Sequence, residues 1–492
     1  MREAEEHSDP LEAEDLGNRA LTGAALLGGR AALIYVFGIV ANLVLARLLV
    51  PRDFGIVALG TVLLVLGGYL AEGGFGAALI RREHGPTLAE LEAVFGFQLA
   101  ITTALAAVFA AGAAAFGGDG FVVAAMAASL PIAILRLPSM IVLERNLQYR
   151  VIAIADVLEA LGYYLWAIGA VALGAGVWGL ATATIVRAIV GTTTVTAMGP
   201  LGVVMPRWSW SRVRPLVGFG AKYQATGLLQ VAREQALNVG VAAVAGVSTL
   251  GIWNLAWRVL QVPILVFITV NRVAFPSMSR LLAAARDPRP VIERGVAVLA
   301  ALTGVVTVAL VAFAPSLPIV LGRGWADVPR VLLWSGIALV VSAPISVATG
   351  GYLFAADAAG VVAKATVASS AAWLAVTLPL LSSQGAAAVG IGWIASGLVY
   401  SGALWHATVE RAGTAIGQRL VVPTVVGLIA TAIAWLAAEQ MPHNLVGAII
   451  GLSLGELVLL GGLAGLSRSA LRDTRSIIAL ALRRVPTGPS AA

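Results

Sequence analysis

A charged side chain at the centre of a membrane helix costs about 2.5–3.5 kcal/mol on insertion scales, so arginines inside long apolar stretches mark places where something compensates. Arg233 and Glu234 sit near the middle of one such stretch. With Thr226, Gln230 and Asn238 they recur at three- and four-residue steps, which puts them on one face of a helix. The following stretch repeats the device with Asn254, Arg258, Gln261 and Arg272, the first carries Arg30 and Asn42, and the sixth carries Arg187. Guanidinium keeps its charge when desolvated and offers a fork of donors suited to phosphate oxygens. An excess of buried arginine over carboxylate therefore selects an anionic ligand, and the accompanying Asn, Gln, Thr and Tyr suit hydroxyl groups.

The same residues have structural readings. Arg233 and Glu234 could form an ion pair, but adjacent helix positions point about 100° apart, which makes that pair geometrically poor. Arg258 could bond backbone carbonyls, and Arg30 and Arg272, nearer helix ends, could snorkel to the interface. Asp156, Glu159 and Tyr163 follow one another by a turn in the fifth stretch. They could bind a coupling proton or Na⁺, or they could pair with Arg187 or Arg150; we favour the ion pair. Glu72 and Glu456 read as cap or packing residues.

Other chemistry is excluded by inventory. There is no cysteine, and His7, His84, His406 and His443 make no ligand spacing, so neither a metal nor another cofactor is expected. Gly67-Gly68, Gly73-Gly74 and Gly350-Gly351 lie within or at the ends of apolar segments, where small residues let helices approach, and none forms a phosphate loop. The net charge of +7 comes from arginines beside apolar segments rather than from one patch, so no nucleic-acid partner is expected.

The elements that must position these residues are membrane helices. The 492-residue chain is 59% apolar and 12% charged, against roughly 25% charged for a soluble domain. About 14 segments reach the roughly 20 residues needed to span, which makes the expected fold an all-α polytopic membrane protein. Alternate junctions are rich in Arg and Lys, notably Arg81-Arg82, Arg145 and Arg150, Arg207 to Lys222, and Arg280 to Arg294. The opposite junctions hold only Arg52, Arg323 and Arg330, so both termini are expected in the cytoplasm.

Val50-Pro-Arg-Asp-Phe-Gly-Ile is echoed at Val247-Ser-Thr-Leu-Gly-Ile, and Gly174-Ala-Gly-Val-Trp-Gly-Leu is loosely matched from Gln384. The echoes suggest two six-helix lobes in the same orientation, with a hydrated groove between the polar stripes. The expected organisation is a cytoplasmic tail (1–20), an N-terminal lobe (21–200), a linker (201–215), a C-terminal lobe (216–410), two further helices (411–466) and a basic tail (467–492).

Leu45 to Arg82, LARLLVPRDFGIVALGTVLLVLGGYLAEGGFGAALIRR, is a tight helical hairpin with a distinctive wording. It resembles the N-terminal signature of bacterial polysaccharide and lipopolysaccharide exporters. These are lipid-linked oligosaccharide flippases of the superfamily that also holds multidrug and toxic compound extrusion transporters. The resemblance implies a multi-pass protein of the bacterial inner membrane that moves a polyprenyl-diphosphate-linked oligosaccharide by alternating access, without being an enzyme. Membrane lipid, a polysaccharide polymerase and glycosyltransferases are the candidate partners. A multidrug exporter is the alternative within the superfamily, although the arginine-rich stripes suit cationic substrates poorly. A non-transporting scaffold of a polysaccharide assembly complex is the alternative outside transport.

Overall fold

The computed structural model describes residues 29–483 except Ala32 and Arg323, and leaves out the side chains at 226, 229, 266, 268–277 and 477–483. The expected N-terminal tail therefore lies outside the described residues. Every regular element among the described residues is helical. The chain divides into two compact units, Met1–Val239 and Gly240–Ala492.

In the first unit α1 (Gly29–Leu48) exposes Leu33, Val36, Val40 and Val44 along one stripe, the pattern of a face turned to lipid. α2 (Pro51–Glu72) starts where its sequence requires: Pro51 needs no N–H partner at the first position. Asp53 accepts from the Val50 amide at 3.2 Å. Gly73 and Gly74, at φ 54° and 68°, then end the helix, and α3 (Phe75–Ile80) continues in a new direction. The buried Gln98 of α4 (Leu88–Ala114) donates to the freed Glu72 carbonyl at 2.9 Å.

The fourth expected span is broken rather than continuous. It comprises α5 (Asp119–Ala127), α6 (Ser129–Ile134) and α7 (Leu137–Arg145), with a 50° bend before α7. Both breaks fall four residues before a proline: α5 ends at Ala127 ahead of Pro131, and α6 at Ile134 ahead of Pro138. A proline ring lacks the N–H for that carbonyl and collides with it. Arg145 closes α7 by reaching across to α3: Nη1 donates to the carbonyls of Ile80 and Arg82 at 2.7 Å, and Nη2 to that of Glu83 at 3.0 Å. A cation at the end of a helix satisfies its last carbonyls and its dipole together. Arg145→Ala should cost about 1–2 kcal/mol, read as a lower melting temperature of the detergent-purified protein. An unchanged melting temperature would show that these bonds hold nothing.

α8 (Tyr149–Ala170) runs through a π-helical turn at Val171–Ala175 to Gly176, which opens α9 (Val177–Met198). α10 (Trp210–Ala245) begins here and crosses the unit boundary. Its Gly220 meets Gly74 so closely that a Cβ on Gly74 would lie 2.8 Å from the Gly220 Cα. The glycine pair of the hairpin is thus a joint for close helix approach.

The second unit holds α11 (Val247–Ala283), α12 (Arg289–Phe313), α13 (Leu317–Leu321), α14 (Val328–Ala355), α15 (Ala359–Gln384), α16 (Ala387–Ala412), α17 (Ile416–Gln440), α18 (Leu445–Leu466) and α19 (Arg468–Arg483). A core of Ala301, Val308, Val426, Ala430, Ala434 and Leu459 joins α12, α17 and α18. Between α11 and α12, the Arg289 guanidinium donates to Asp287 at 2.9 and 3.0 Å and holds that carboxyl below the usual carboxylate range. The segment expected as a basic tail includes α19, whose Ala470 is fully buried.

The α15–α16 turn repeats the backbone of the α8–α9 turn. Gly385 stands at φ 54°, ψ −138°, and Gly176 at φ 54°, ψ −136°. Side-chain-bearing residues scarcely enter that region. Nothing lies within 4 Å of the Cβ that Gly385 would gain, so Gly385→Ala isolates backbone strain from crowding. It should destabilise by about 1–3 kcal/mol. Gly402→Ala, within helix α16 and equally uncrowded, should be neutral or mildly stabilising. Equal melting temperatures for the two variants would refute the assignment.

Eleven helices among the described residues are long and apolar enough to cross a membrane, or twelve with the bent span. The protein is an all-α multi-pass membrane protein. α10 and α11 fall outside that count although, at 36 and 37 residues, they are its longest helices. Gln230, Arg233, Glu234, Gln235 and Asn238 dilute the apolar part of α10. The expected fourteen spans are reached only if both of these helices cross.

Candidate functional site

In the first unit the ionisable residues of three helices and of the break before α7 converge. α1 brings Arg30 against Asp156 of α8 as a direct ion pair. One turn further along α8, Glu159 pairs with Arg136, which precedes α7 at the break, and its Oε2 lies 3.4 Å from the Nε of Arg187 on α9. The Glu159 side chain is 5% exposed, while that of Arg187 is 62% exposed. Gly191 on α9 makes room for this meeting, since a Cβ there would strike the Glu159 carboxylate and lie 2.6 Å from Arg136 Nη1. Three guanidinium groups thus share two carboxylates.

Further along the parallel helices α1 and α8, the buried Asn42 donates to the Gly38 carbonyl at 2.6 Å and lies 3.2 Å from Tyr164 Oη. Phe37 and Tyr163 meet the Tyr164 ring edge-on, with centroids 5.8 and 5.1 Å away.

Glu159 thus meets Arg187, one of the two arginines weighed from the sequence as partners for Asp156 and Glu159, while Asp156 meets Arg30, which was not weighed as a partner. Arg136 escaped the sequence reading. Its signal was a charge within an expected continuous span, two residues before a proline.

α10 carries its polar residues as a local set. Arg233 Nη2 lies 3.6 Å from Glu234 Oε1, and Gln230 Nε2 donates to the same oxygen at 3.4 Å. The adjacent pair judged geometrically poor thus lies within ion-pair distance. In the second unit, Arg258 Nε donates to Asn254 Oδ1 at 3.1 Å, one turn apart on α11, and Gln261 is half-buried on the same stripe. Arg272 lies on α11 with its side chain outside the described residues.

Beside that stripe stands a feature with no counterpart in the sequence reading, a ring of four tryptophans. Trp253 and Trp257 of α11 lie 5.5 Å apart between centroids, and Trp373 of α15 and Trp393 of α16 lie 6.2 Å apart in a stacked arrangement. The pairs are joined by Trp253–Trp373 at 6.4 Å and Trp257–Trp393 at 5.7 Å. The four-residue spacing of Trp253 and Trp257 was the available signal.

Among the described residues, no group of His, Cys, Asp and Glu could hold a metal ion. The arrangement suits anion binding by guanidinium groups in apolar surroundings.

The profile of the family described as "Polysaccharide biosynthesis protein" matches residues 44–330, more than half of the chain. Among solved structures, the chain is similar to a lipid II flippase, MurJ, in an inward closed conformation. The TM-score is 0.69 at 14% identity, covering 92% of this chain and 99% of that one. It is also similar to an inward-facing multidrug resistance MATE family transporter of the MOP superfamily, with TM-score 0.59 at 13% identity, covering 77% and 94%. These likenesses show a shared fold. No curated protein matches.

Proposed function

Because the chain belongs to the polysaccharide biosynthesis protein family, we propose that it is a flippase rather than an enzyme. Its cargo is a polyprenyl-diphosphate-linked oligosaccharide, carried across the bacterial inner membrane for cell-surface polysaccharide synthesis. The observation that carries this reading is the set of arginines on long helices, Arg30 on α1, Arg187 on α9, Arg233 on α10 and Arg258 on α11, with Arg136 at the break before α7. A diphosphate is the anion that such groups recognise best, and it can bind without the prenyl tail leaving the bilayer. A multidrug exporter of mostly cationic substrates would place carboxylates where this chain places guanidinium groups.

Arg233 and Arg258 are assigned to the diphosphate, with Arg30 as a weaker contributor because Asp156 already neutralises it. Asp156 and Glu159 act as structural partners of the first-unit arginines. The lobes, 21–200 and 216–410, alternate access by rocking, both termini are cytoplasmic, and polymerase and glycosyltransferases work alongside.

The test is reconstitution. Proteoliposomes holding the full chain should move a fluorescent prenyl-diphosphate-linked glycan to the opposite leaflet faster than protein-free vesicles. Equal rates with correctly inserted protein would overturn the reading.

A further inference from the structure

The tryptophan ring asks for an explanation beyond packing. Trp253 and Trp373 are 4% and 5% exposed and form its buried base, whereas Trp257 and Trp393 remain partly exposed. The Trp373 indole donates to the Val389 carbonyl at 3.1 Å, which satisfies its buried N–H. Just before Trp393, α16 packs closely against α14 and α15. A Cβ on Gly390 would lie 2.8 Å from Trp334 Cβ, and one on Gly392 would lie 3.0 Å from the Trp373 carbonyl oxygen. Trp393, one of the partly exposed pair, therefore sits on a closely packed stretch of helix.

Trp257 lies well inside α11 rather than at its end. Trp257 lies ten residues after Val247, the first residue of α11, or about 15 Å along the axis. If α11 enters a hydrocarbon core about 30 Å thick at its first residue, that depth is near the middle, whereas belt tryptophans sit at headgroup level.

The stripe next to it completes the chemistry. On the α11 helical wheel, Trp257, Gln261, Asn254 and Arg258 follow one another around a single face. Asn254 and Gln261 are three and four residues from Trp257, which places them as its immediate surface neighbours. Amide groups and a guanidinium thus border an aromatic face.

We infer that Trp257 and Trp393, braced by Trp253 and Trp373, form a stacking platform for the first pyranose ring of a lipid-linked glycan. The C–H face of a pyranose lies flat on indole. Its ring hydroxyls turn to the Asn254 and Gln261 amides, and the sugar-bearing phosphate turns to Arg258. The second unit reads sugar and phosphate together, so a carrier lipid without its glycan binds poorly. This inference rests on the functional reading above.

Competition binding on the full chain in nanodiscs tests it, with a fluorescent prenyl diphosphate displaced by two probes. One is bare prenyl diphosphate and the other is prenyl-diphospho-N-acetylhexosamine. The wild-type protein should favour the sugar-bearing probe by about fivefold, the scale of an aromatic stacking contact. The Trp257→Leu/Trp393→Leu protein should lose that preference while binding the bare probe within about twofold of wild type. Trp393→Phe should retain most of the preference.

An unchanged preference in the double variant overturns the platform, and so does a parallel loss of both probes, which would mark the ring as packing alone. Wild-type protein that binds the bare probe but shows no preference for sugar overturns this inference and leaves the functional reading standing. Wild-type protein that binds neither probe overturns both.

Discussion

Replacing Arg233 and Arg258 together by glutamine should stop export of the proposed polysaccharide cargo, while the protein should still accumulate in the membrane at its normal level. Glutamine keeps a polar, hydrogen-bonding side chain and removes the charge. A charge-assisted hydrogen bond contributes about 1.5–3 kcal/mol, so each single replacement should slow transport by about 10- to 100-fold and the pair by far more. Folding should survive. Within the protein, Arg233 pairs with Glu234 at 3.6 Å and Arg258 with Asn254 at 3.1 Å, each pair lying along a single helix. A pair one turn apart contributes a few tenths of a kcal/mol, and adjacent helix positions do not face each other. Lysine at either position should restore part of the rate, since it returns the charge without the planar fork. Arg289→Gln, in the exposed connection to α12, is the matched control. Normal export by the double glutamine variant would sink the assignment of these arginines.

The second large effect is on folding. Glu159→Ala removes the carboxylate that Arg136 and Arg187 share. The Arg136 side chain is only 27% exposed, and without its partner a guanidinium is left in surroundings that solvate it poorly. Breaking one side of a buried pair costs about 3–5 kcal/mol, enough to deplete a marginally stable protein. Arg187→Ala should cost under about 1 kcal/mol, because that side chain is largely exposed. Replacing Glu159 and Arg136 together by methionine should recover most of the stability, since both charges then leave the interior at once. Thermal unfolding of detergent-purified variants reads all three. A double variant no more stable than Glu159→Ala would show that the damage came from lost packing rather than from a stranded charge.

Legibility in the sequence followed the range of each interaction. Helix character was legible throughout, because apolar length and the caps of α2 are local properties. That Asp156 and Glu159 could seek arginine partners could be weighed from the sequence, since intramembrane charges often pair with one another. Which carboxylate meets which guanidinium depended on tertiary placement, so Arg136 and the Arg30–Asp156 pair emerged only with the fold. The broken fourth span was readable in principle from Pro131 and Pro138, but a long apolar run hides a bend. The matching of Gly176 and Gly385 rests on φ and ψ, which a loose echo of small residues cannot report. Trp373 and Trp393 are twenty positions apart and on different helices from Trp253 and Trp257, so no linear pattern gathers them.

Arg145 carries a last consequence. A cationic residue beside a membrane helix is the ordinary handle for steering insertion, and experimenters flip such residues to reverse a protein's orientation. Here the same guanidinium also fastens the end of α3 through three carbonyls. Moving its charge elsewhere would loosen a latch as well as shift a signpost, so an orientation map built on Arg145 would confuse misfolding with inversion. Arg150, whose side chain is exposed just inside α8, is the cleaner handle for that experiment.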